Sequence, residues 1–211
     1  GLAPTAQQRL TERTRATELR VVDLSDAADG TRKLRCELSG GQRIETVLIP
    51  SLGSEGAART TVCVSSQVGC RRGCDFCFTS KMGLIRHLKA DEIVTQVRAA
   101  EAYRGDRPPL RNLVFMGMGA PLDNPIAVET ALNILAGPGG LGFGPRHITV
   151  STVGPSPAAI RRAKPFIGRL AWSLHAANDT KRKQLIATAR TPVAELKDAF
   201  RDIINGRPLF V

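Results

Sequence analysis

The chain has 211 residues, of which 42% are hydrophobic and 23% are charged, and this ordinary globular composition excludes a wholly disordered protein. Lysines and arginines number 30 against 19 aspartates and glutamates, and the net charge of +11 indicates a polyanionic partner, most often nucleic acid. No apolar run approaches the length that spans a bilayer, so the sequence predicts neither a membrane segment nor a membrane partner.

The first part of the chain predicts a small antiparallel sheet. Apolar and polar residues alternate over 33–38 and again over 44–49, and glycine-containing turns separate these stretches from each other and from an apolar stretch at 21–24. We therefore assign residues 1–59 to an N-terminal extension with a β-hairpin or meander, and residues 60–211 to the core.

The core repeats a strand–helix pattern. Asp91 can cap the first helix, and three later helices are predicted to open with a polar cap followed by proline, at 124–125, 156–157 and 191–192. This alternation implies a parallel sheet covered by helices, either a (β/α) barrel, complete or partial, or an open doubly wound sheet. Unusual polar residues lie at the ends of the first four strands, which favours the barrel because those strand ends form one face. The strands are predicted at residues 61–64, 113–116, 148–151, 170–174 and 209–211.

Cysteine usage indicates a reducing compartment. The chain has five cysteines, an odd number, and three of them lie close together, unlike the pattern of a secreted disulfide framework. No signal peptide is visible at the N-terminus. We therefore expect a cytoplasmic protein, or an organellar one if the source is eukaryotic.

Residues 70–77 read CRRGCDFC, which is a C-x₃-C-x₂-C spacing. Three thiolates this close on a glycine-containing loop can surround one centre, and thiolate clusters suit iron–sulfur clusters or zinc. Three ligands without an obvious fourth favour a [4Fe–4S] cluster with one open iron, which could chelate the amine and carboxylate of a substrate. The alternative is a zinc site with Cys63 or His87 as the fourth ligand, although zinc sites usually carry two C-x₂-C pairs and this chain has one.

This cysteine motif, with an aromatic residue before its last cysteine, resembles the hallmark of the radical S-adenosylmethionine (SAM) superfamily. Three further stretches in the same order, together with the residues leading into the motif, are similar to the RlmN/Cfr family of RNA adenine methyltransferases, and the resemblance spans roughly residues 20–211. These stretches are CVSSQVGC at 63–70, VFMGMG at 114–119, STVG at 151–154 and SLHAAN at 173–178.

The resemblance implies roles for individual residues. Cys70, Cys74 and Cys77 would hold the [4Fe–4S] cluster that cleaves SAM. Glu45 would remove the proton from the adenine carbon, and Cys63 would help to release the methylated base. Taken alone, Glu45 could equally be the polar-face residue of a strand. The positions implied to line the SAM pocket are Gly119, Ala120, Ser151, Ser173, Leu174 and His175.

The resemblance also implies the fold, the reaction and the partners. The fold would be a partial (β/α) barrel of the radical SAM type with a small N-terminal antiparallel β extension. The reaction would be methylation of C2 of adenine in 23S ribosomal RNA, transfer RNA or both, through a methyl-carrying cysteine near the C-terminus. The partners would be that RNA and an electron donor such as flavodoxin or ferredoxin, with the protein itself a monomer.

Two departures from the family pattern bear on this hypothesis. Ala120 replaces the glutamate that helps to hold SAM, and Asp123 is a candidate substitute. No cysteine follows Cys77, so the sequence predicts a C-terminally truncated chain that lacks the methyl-carrying cysteine. Two alternative functions stay open: a non-catalytic or diverged RNA-binding paralogue that retains the cluster fold, and a zinc-stabilised RNA-binding module.

The positive charge is concentrated late in the chain. Residues 161–190 contain eight lysines and arginines and a single acidic residue, Asp179. A solvated helix face is the simple interpretation, but its position beside the predicted site favours a phosphate-contacting surface.

Overall fold

The computed structural model describes residues 17–52, 56–204 and 208–211. Eight strands of the described chain form one sheet, and two more form a separate hairpin. The strands are β1 (Leu19–Asp26), β2 (Arg32–Leu38), β3 (Arg43–Leu52), β4 (Ala58–Cys63), β5 (Gln67–Gly69), β6 (Leu84–His87), β7 (Leu110–Phe115), β8 (Ile148–Thr152), β9 (Arg169–Trp172) and β10 (Leu209–Phe210).

The main sheet follows the order of the chain, β1-β2-β3-β4-β7-β8-β9-β10. Strands β1 to β4 pair antiparallel, and β4, β7, β8, β9 and β10 pair parallel. The predicted α/β fold with a parallel sheet and an antiparallel extension is therefore confirmed. Within the described residues β1 and β10 are the edges, so this part of the sheet does not close on itself. The domain boundary predicted between residues 59 and 60 falls inside β4, where the sheet is continuous.

Six helices connect the strands of the described chain. Three of them begin at or directly after a proline, at Pro125, Pro157 and Pro192, while the second begins after Lys89 and the fifth after Asn178. The first and the fifth were not predicted from the sequence. The helices are α1 (Phe78–Lys81), α2 (Ala90–Ala102), α3 (Pro125–Ala136), α4 (Pro157–Arg162), α5 (Asp179–Leu185) and α6 (Val193–Ile204). None of them has the length and apolarity needed to cross a lipid bilayer.

The caps explain where the helices begin, and one of them, at α2, differs from the prediction. Ser156 caps α4 as expected, because its Oγ accepts the Ala159 N–H at 3.2 Å. Asp91 does not cap α2: it lies in the first turn, and Lys89 occupies the cap position, with its N–H donated to the Glu92 carboxylate at 2.8 Å.

Asn124 stands at the cap position of α3, as predicted, but its side chain serves another purpose. Its buried Nδ2 donates to the carbonyls of Ser66 at 3.0 Å and Leu88 at 2.7 Å. The helix start is thereby tied to the ends of the β5–β6 hairpin. At the start of α6, the hydrogen-bond acceptor for a backbone N–H comes from a residue far earlier in the sequence: the Val193 N–H donates to the Asp179 carboxylate at 2.8 Å. The predicted end of this helix, at 205–206, lies outside the described residues.

The sheet buries one face more than the other, because its side chains alternate. Along β8, Ile148, Val150 and Thr152 are buried, whereas Thr149 and Ser151 are half-buried. The buried face of the sheet packs against α2, α3, α4 and α6 to form the hydrophobic core. The other face stays open in the described chain and carries polar side chains at the carboxyl ends of its parallel strands.

Candidate active site

The cysteine-rich loop, residues 70–77, follows β5, and the backbone is tightly constrained where the loop begins. Gly69 has φ +75°, and a Cβ there would lie 1.8 Å from the Gly83 carbonyl oxygen, so only glycine fits. The same carbonyl accepts the Cys70 N–H at 2.9 Å. The sequence did not predict this hairpin, because strands of three and four residues show no readable periodicity.

The far side of the cysteine loop is fixed by the segment that follows α5, residues 185–188. Asp75 N–H donates to the Leu185 carbonyl at 3.0 Å, and the Thr188 hydroxyl donates to the Arg72 carbonyl at 2.8 Å. Gly73, at φ +67°, lies against Ala187, whose Cβ would be 3.0 Å from an added side-chain carbon. The loop is therefore held between two parts of the chain that are far apart in sequence.

Asp123 forms an ion pair with Arg72, which belongs to the cysteine loop. Arg72 donates through Nε to the Asp123 carboxylate at 2.7 Å and contacts its second oxygen through Nη2. The Asp123 side chain is only 4% exposed, and Arg71 lies 3.7 Å away on the outer side. Because the carboxylate is paired and does not line the pocket described next, Asp123 does not replace the carboxylate missing at Ala120.

A pocket of about 300 Å³ lies beside the cysteine loop at the carboxyl ends of β7, β8 and β9. Eight of the residues singled out from the sequence line it together: Cys70, Cys74, Cys77, Gly119, Ala120, Ser151, Ser173 and His175. Leu174, Glu45 and Cys63 do not line it. The remaining walls include Arg72, Phe76, Phe115 and Met116, to which the sequence assigned no role.

The polar wall of the pocket is built by two strand ends and one strained residue. The hydroxyls of Ser151 and Ser173 lie 2.8 Å apart, within hydrogen-bond distance, across the adjacent strands β8 and β9. His175 has φ +61°, an unusual left-handed conformation for a residue other than glycine, and its ring lies 4.6 Å from the Phe76 ring. Partial burial, with a contribution from Arg182, lowers the pKa of His175 below its ordinary value.

Cys70, Cys74 and Cys77 supply the sulfur atoms of a candidate metal-binding set, and a cysteine binds metal after its thiol has lost its proton. Burial raises the pKa of the Cys74 thiol to about 11, and charge on Cys70 and Cys77 adds to this shift. Burial likewise raises the pKa of Cys70. Among residues 17–52, 56–204 and 208–211, no group of three metal-binding side chains is drawn together around a single ion. All three thiols line the same pocket, and three cysteines on one loop would suit an iron–sulfur cluster held there.

Comparison with known proteins agrees with this geometry. The sequence pattern described as "Radical SAM superfamily" matches residues 64–206. The chain belongs to the radical SAM superfamily. The radical SAM match begins directly after β4 and ends beyond α6, so it contains the whole pocket, whereas β1, β2 and β3 precede it.

Named relatives and a solved structure extend the likeness beyond the radical SAM match. The chain is 44% identical to the "Dual-specificity RNA methyltransferase RlmN" of Lawsonia intracellularis, across 86% of this chain and 52% of the relative. It is 40% identical to the "Probable dual-specificity RNA methyltransferase RlmN" of Akkermansia muciniphila, across 98% and 58%. A crystal structure of a radical SAM methyltransferase from Sphaerobacter thermophilus superimposes with a TM-score of 0.85 at 42% identity, across 99% and 61%. The chain thus spans about half the length of the curated relatives it matches.

Glu45 and Cys63 lie outside the pocket but share one face of the radical SAM sheet. Val47 pairs with Cys63 across β3 and β4, and Glu45 lies two residues before Val47, so both side chains project from the half-open face. The Glu45 carboxylate is 43% exposed and lies 3.0 Å from the Lys33 ammonium. Burial raises the pKa of the Cys63 thiol to about 11.

The basic segment at 161–190 is only partly a surface. Arg182 is buried, with 2% exposure, and its guanidinium donates to the Val153 carbonyl. Arg161 is paired with Asp202 at 2.8 Å. The predicted phosphate-contacting surface therefore does not include Arg182, and Asp202 neutralises part of it at Arg161. For the other cations it stays a prediction. The exposed cations that remain are Arg162, Lys164, Lys181, Lys183 and Arg190.

A second basic group, which the sequence did not reveal, lies at the amino ends of the parallel strands. Arg59 is in β4, Arg111 in β7, Arg146 and His147 directly precede β8, and Arg169 begins β9. Burial and these four guanidinium groups lower the pKa of His147. Within the described residues Arg59, Arg111 and Arg146 form no salt bridge. Strand order brings them together although they are far apart in sequence, which is why spacing gave no signal.

Proposed function

We propose that this chain is the radical SAM core of an RlmN-type RNA methyltransferase that acts on C2 of adenine in 23S ribosomal RNA, transfer RNA or both. The observation that carries the proposal is the shared pocket. Three thiols from one loop, and the polar ends of β8 and β9, face the same 300 Å³ space in a chain 40–44% identical to proteins named RNA methyltransferases.

Cys70, Cys74 and Cys77 are the residues proposed to hold a [4Fe–4S] cluster, and the rest of the pocket is proposed to bind SAM. When bound, such a cluster supplies the one-electron reduction that cleaves SAM, with flavodoxin or ferredoxin as the proposed electron donor. The cysteine loop contributes a fixed frame, because both of its sides are hydrogen-bonded to the rest of the chain.

The pocket's own side chains suit a ligand that carries both polar groups and an apolar part. Of the two hydroxyls of Ser151 and Ser173, one donates to the other, which leaves the second proton free for a ligand oxygen. His175 is neutral near pH 7 because its pKa is lowered, so its ring does not repel a sulfonium. Phe115 and Met116 supply the apolar part of the wall.

Glu45 and Cys63 are proposed to act on the RNA base from the half-open face of the sheet. The Glu45 carboxylate lies beside Lys33 and is proposed to accept the proton, and the half-exposed position of Glu45 leaves room for a large substrate to reach it. The Cys63 thiol is protonated at neutral pH, because its pKa is raised, so it must lose a proton before it can act as a nucleophile.

RNA binding is proposed to use the exposed cations. Lys181, Lys183 and Arg190 lie on and just after α5, and Arg111 and Arg146 lie at the opposite ends of the parallel strands. Contacts from arginine and lysine to phosphates position RNA without reading its sequence. The proposal includes a monomer that works in the cytoplasm, or in an organelle if the source is eukaryotic.

Anaerobic reconstitution tests the proposal at its centre. We expect about four irons per chain and the broad visible absorption of an iron–sulfur cluster, both lost in Cys74→Ala. The matched control is Cys36→Ala, because Cys36 is a buried thiol in β2, far in sequence from the loop. One zinc per chain, with no iron retained, would reject the proposal and favour the zinc-stabilised RNA-binding module.

A non-catalytic RNA-binding paralogue is the second candidate, and Ala120 is the observation that favours it. The residues that line the pocket include no carboxylate. The discriminating experiment adds SAM and dithionite to the reconstituted chain. Release of 5′-deoxyadenosine rejects the paralogue, whereas an intact cluster that binds RNA but never cleaves SAM supports it.

A further inference from the structure

Gln67, the first residue of β5, links the β5–β6 hairpin to the segment that forms one wall of the pocket, residues 117–120. Its side chain is fully buried. The side-chain Oε1 lies 2.7 Å from the Ala120 backbone nitrogen, and Nε2 lies 2.9 Å from Nδ1 of His87, its partner across the β5–β6 hairpin. One amide group therefore contacts both the pocket wall and a histidine outside the pocket.

The chemistry of these three groups fixes their protons. A backbone N–H can only donate, so the Gln67 atom facing Ala120 is the carbonyl oxygen. The other end of the amide is then NH₂, which can only donate, so Nδ1 of His87 accepts. It follows that His87 is neutral and carries its single proton on Nε2.

The pocket wall lies directly on Gln67. Gly119 has φ +100°, and a Cβ there would approach the Gln67 Cβ to 2.6 Å. The Met118 carbonyl accepts the backbone N–H groups of Ser66 at 2.8 Å and Gln67 at 3.2 Å. Backbone hydrogen bonds thus hold the pocket wall against the start of β5, and the Gln67 side chain sets the position of Ala120 at the end of that wall.

We propose that Gln67 is a positioning residue for SAM binding, and that protonation of His87 releases the pocket wall by turning the Gln67 amide around. Protonated His87 presents N–H donors on both ring nitrogens, so the Gln67 oxygen turns towards it. The NH₂ group then faces the Ala120 N–H, two donors meet, and the wall loses its contact. The inference rests on the proposed binding of SAM in this pocket.

The charges around His87 favour the neutral ring at pH 7. Partial burial and the nearby Arg71 of the cysteine loop both lower the pKa of His87. The neighbouring Arg86 donates to the His87 carbonyl at 3.1 Å, and its charge is paired with Glu92 on α2 at 2.7 Å. Acidification through the lowered pKa of His87 is therefore expected to weaken SAM binding, and this loss reverses when the pH is raised.

The first test needs no ligand. Nitrogen NMR of the reconstituted 211-residue chain at about pH 8 should show His87 with its proton on Nε2. Gln67→Glu keeps an oxygen for Ala120 but replaces the NH₂ donor, so it should raise the pKa of His87. Gln67→Met, similar in size, should speed hydrogen exchange of the Ala120 amide. A proton on Nδ1 of His87 in the wild type, or unchanged exchange in Gln67→Met, overturns the proposal.

The second test measures SAM dissociation constants by calorimetry between about pH 8 and about pH 5. We expect Gln67→Met to weaken binding about tenfold at unchanged iron content, and Gln67→Glu to restore most of it. His87→Gln should reduce the acid-dependent loss, since only the repulsion of the sulfonium by protonated His175 then remains, whereas the control His147→Gln, at the opposite strand ends, should retain all of it. Equal pH dependence in both histidine variants rejects the proposal. If the wild type binds no SAM, the proposed function fails, while the NMR test still decides the role of Gln67.

Discussion

Restoring a carboxylate at position 120 is expected to tighten SAM binding. Ala120 lines the pocket and is 7% exposed, the pocket lining contains no acidic side chain, and the nearby Asp123 is already paired with Arg72. A glutamate there would offer a ligand ammonium a charge-assisted hydrogen bond, worth about 1.5–3 kcal/mol. This free energy corresponds to a gain in affinity of about 10- to 150-fold.

Ala120→Gln is the matched control, because it has the same size and lacks the charge. Calorimetric titration of SAM into the anaerobically reconstituted proteins would compare both variants with the wild type. The glutamate variant should bind more tightly than the glutamine variant, and the difference should shrink in S-adenosyl ligands that lack the amino group. Equal affinities of the two variants would refute the reasoning that a missing carboxylate limits this pocket.

Three further predictions concern the frame of the site and the basic surface. Asp123→Asn leaves the largely buried Arg72 without its charged partner and should lower the free energy of unfolding by about 3–5 kcal/mol, measured by chemical denaturation. The control Asp202→Asn removes an exposed ion pair and should change this free energy by less than about 1 kcal/mol. Gly73→Ala should destabilise the chain and reduce iron uptake more than Gly83→Ala. Both glycines have φ +67°, but only at Gly73 would the added Cβ contact a neighbour, Ala187. Equal losses in the two variants would contradict this packing. Arg111→Glu should weaken RNA binding in fluorescence anisotropy and reduce its salt dependence, and an unchanged salt slope would remove this residue from the RNA surface.

The parallel sheet and the cysteine motif could be predicted because their signals are local. Short apolar strands separated by cap–proline pairs fix the order of elements, and Asn124 and Ser156 stand at helix starts as expected. Polar residues at strand ends then predicted a shared face for Ser151 and Ser173, since parallel strands align their carboxyl ends, and their hydroxyls lie 2.8 Å apart there.

What the sequence did not indicate depends on contacts between distant residues. Arg182 reads as a surface cation, yet its guanidinium is buried against the Val153 carbonyl. Asp123 reads as a free carboxylate, yet Arg72 neutralises it from across the site. Gln67 lies within the CVSSQVGC stretch at 63–70, but its importance comes from its contacts with the Ala120 backbone N–H and the His87 imidazole, which no spacing rule connects to it.

The way the cysteine loop is held has a consequence for how the protein is made. The loop is complete by residue 77, but its outer side is bonded to residues 185–188, more than a hundred residues later in synthesis. At typical translation rates of about 5–20 residues per second, the ribosome needs roughly 5–20 seconds to cover that interval. During this time the outer side of the loop lacks its bonding partners, so the frame around the three cysteines is completed only after the second half of the sheet has been synthesised.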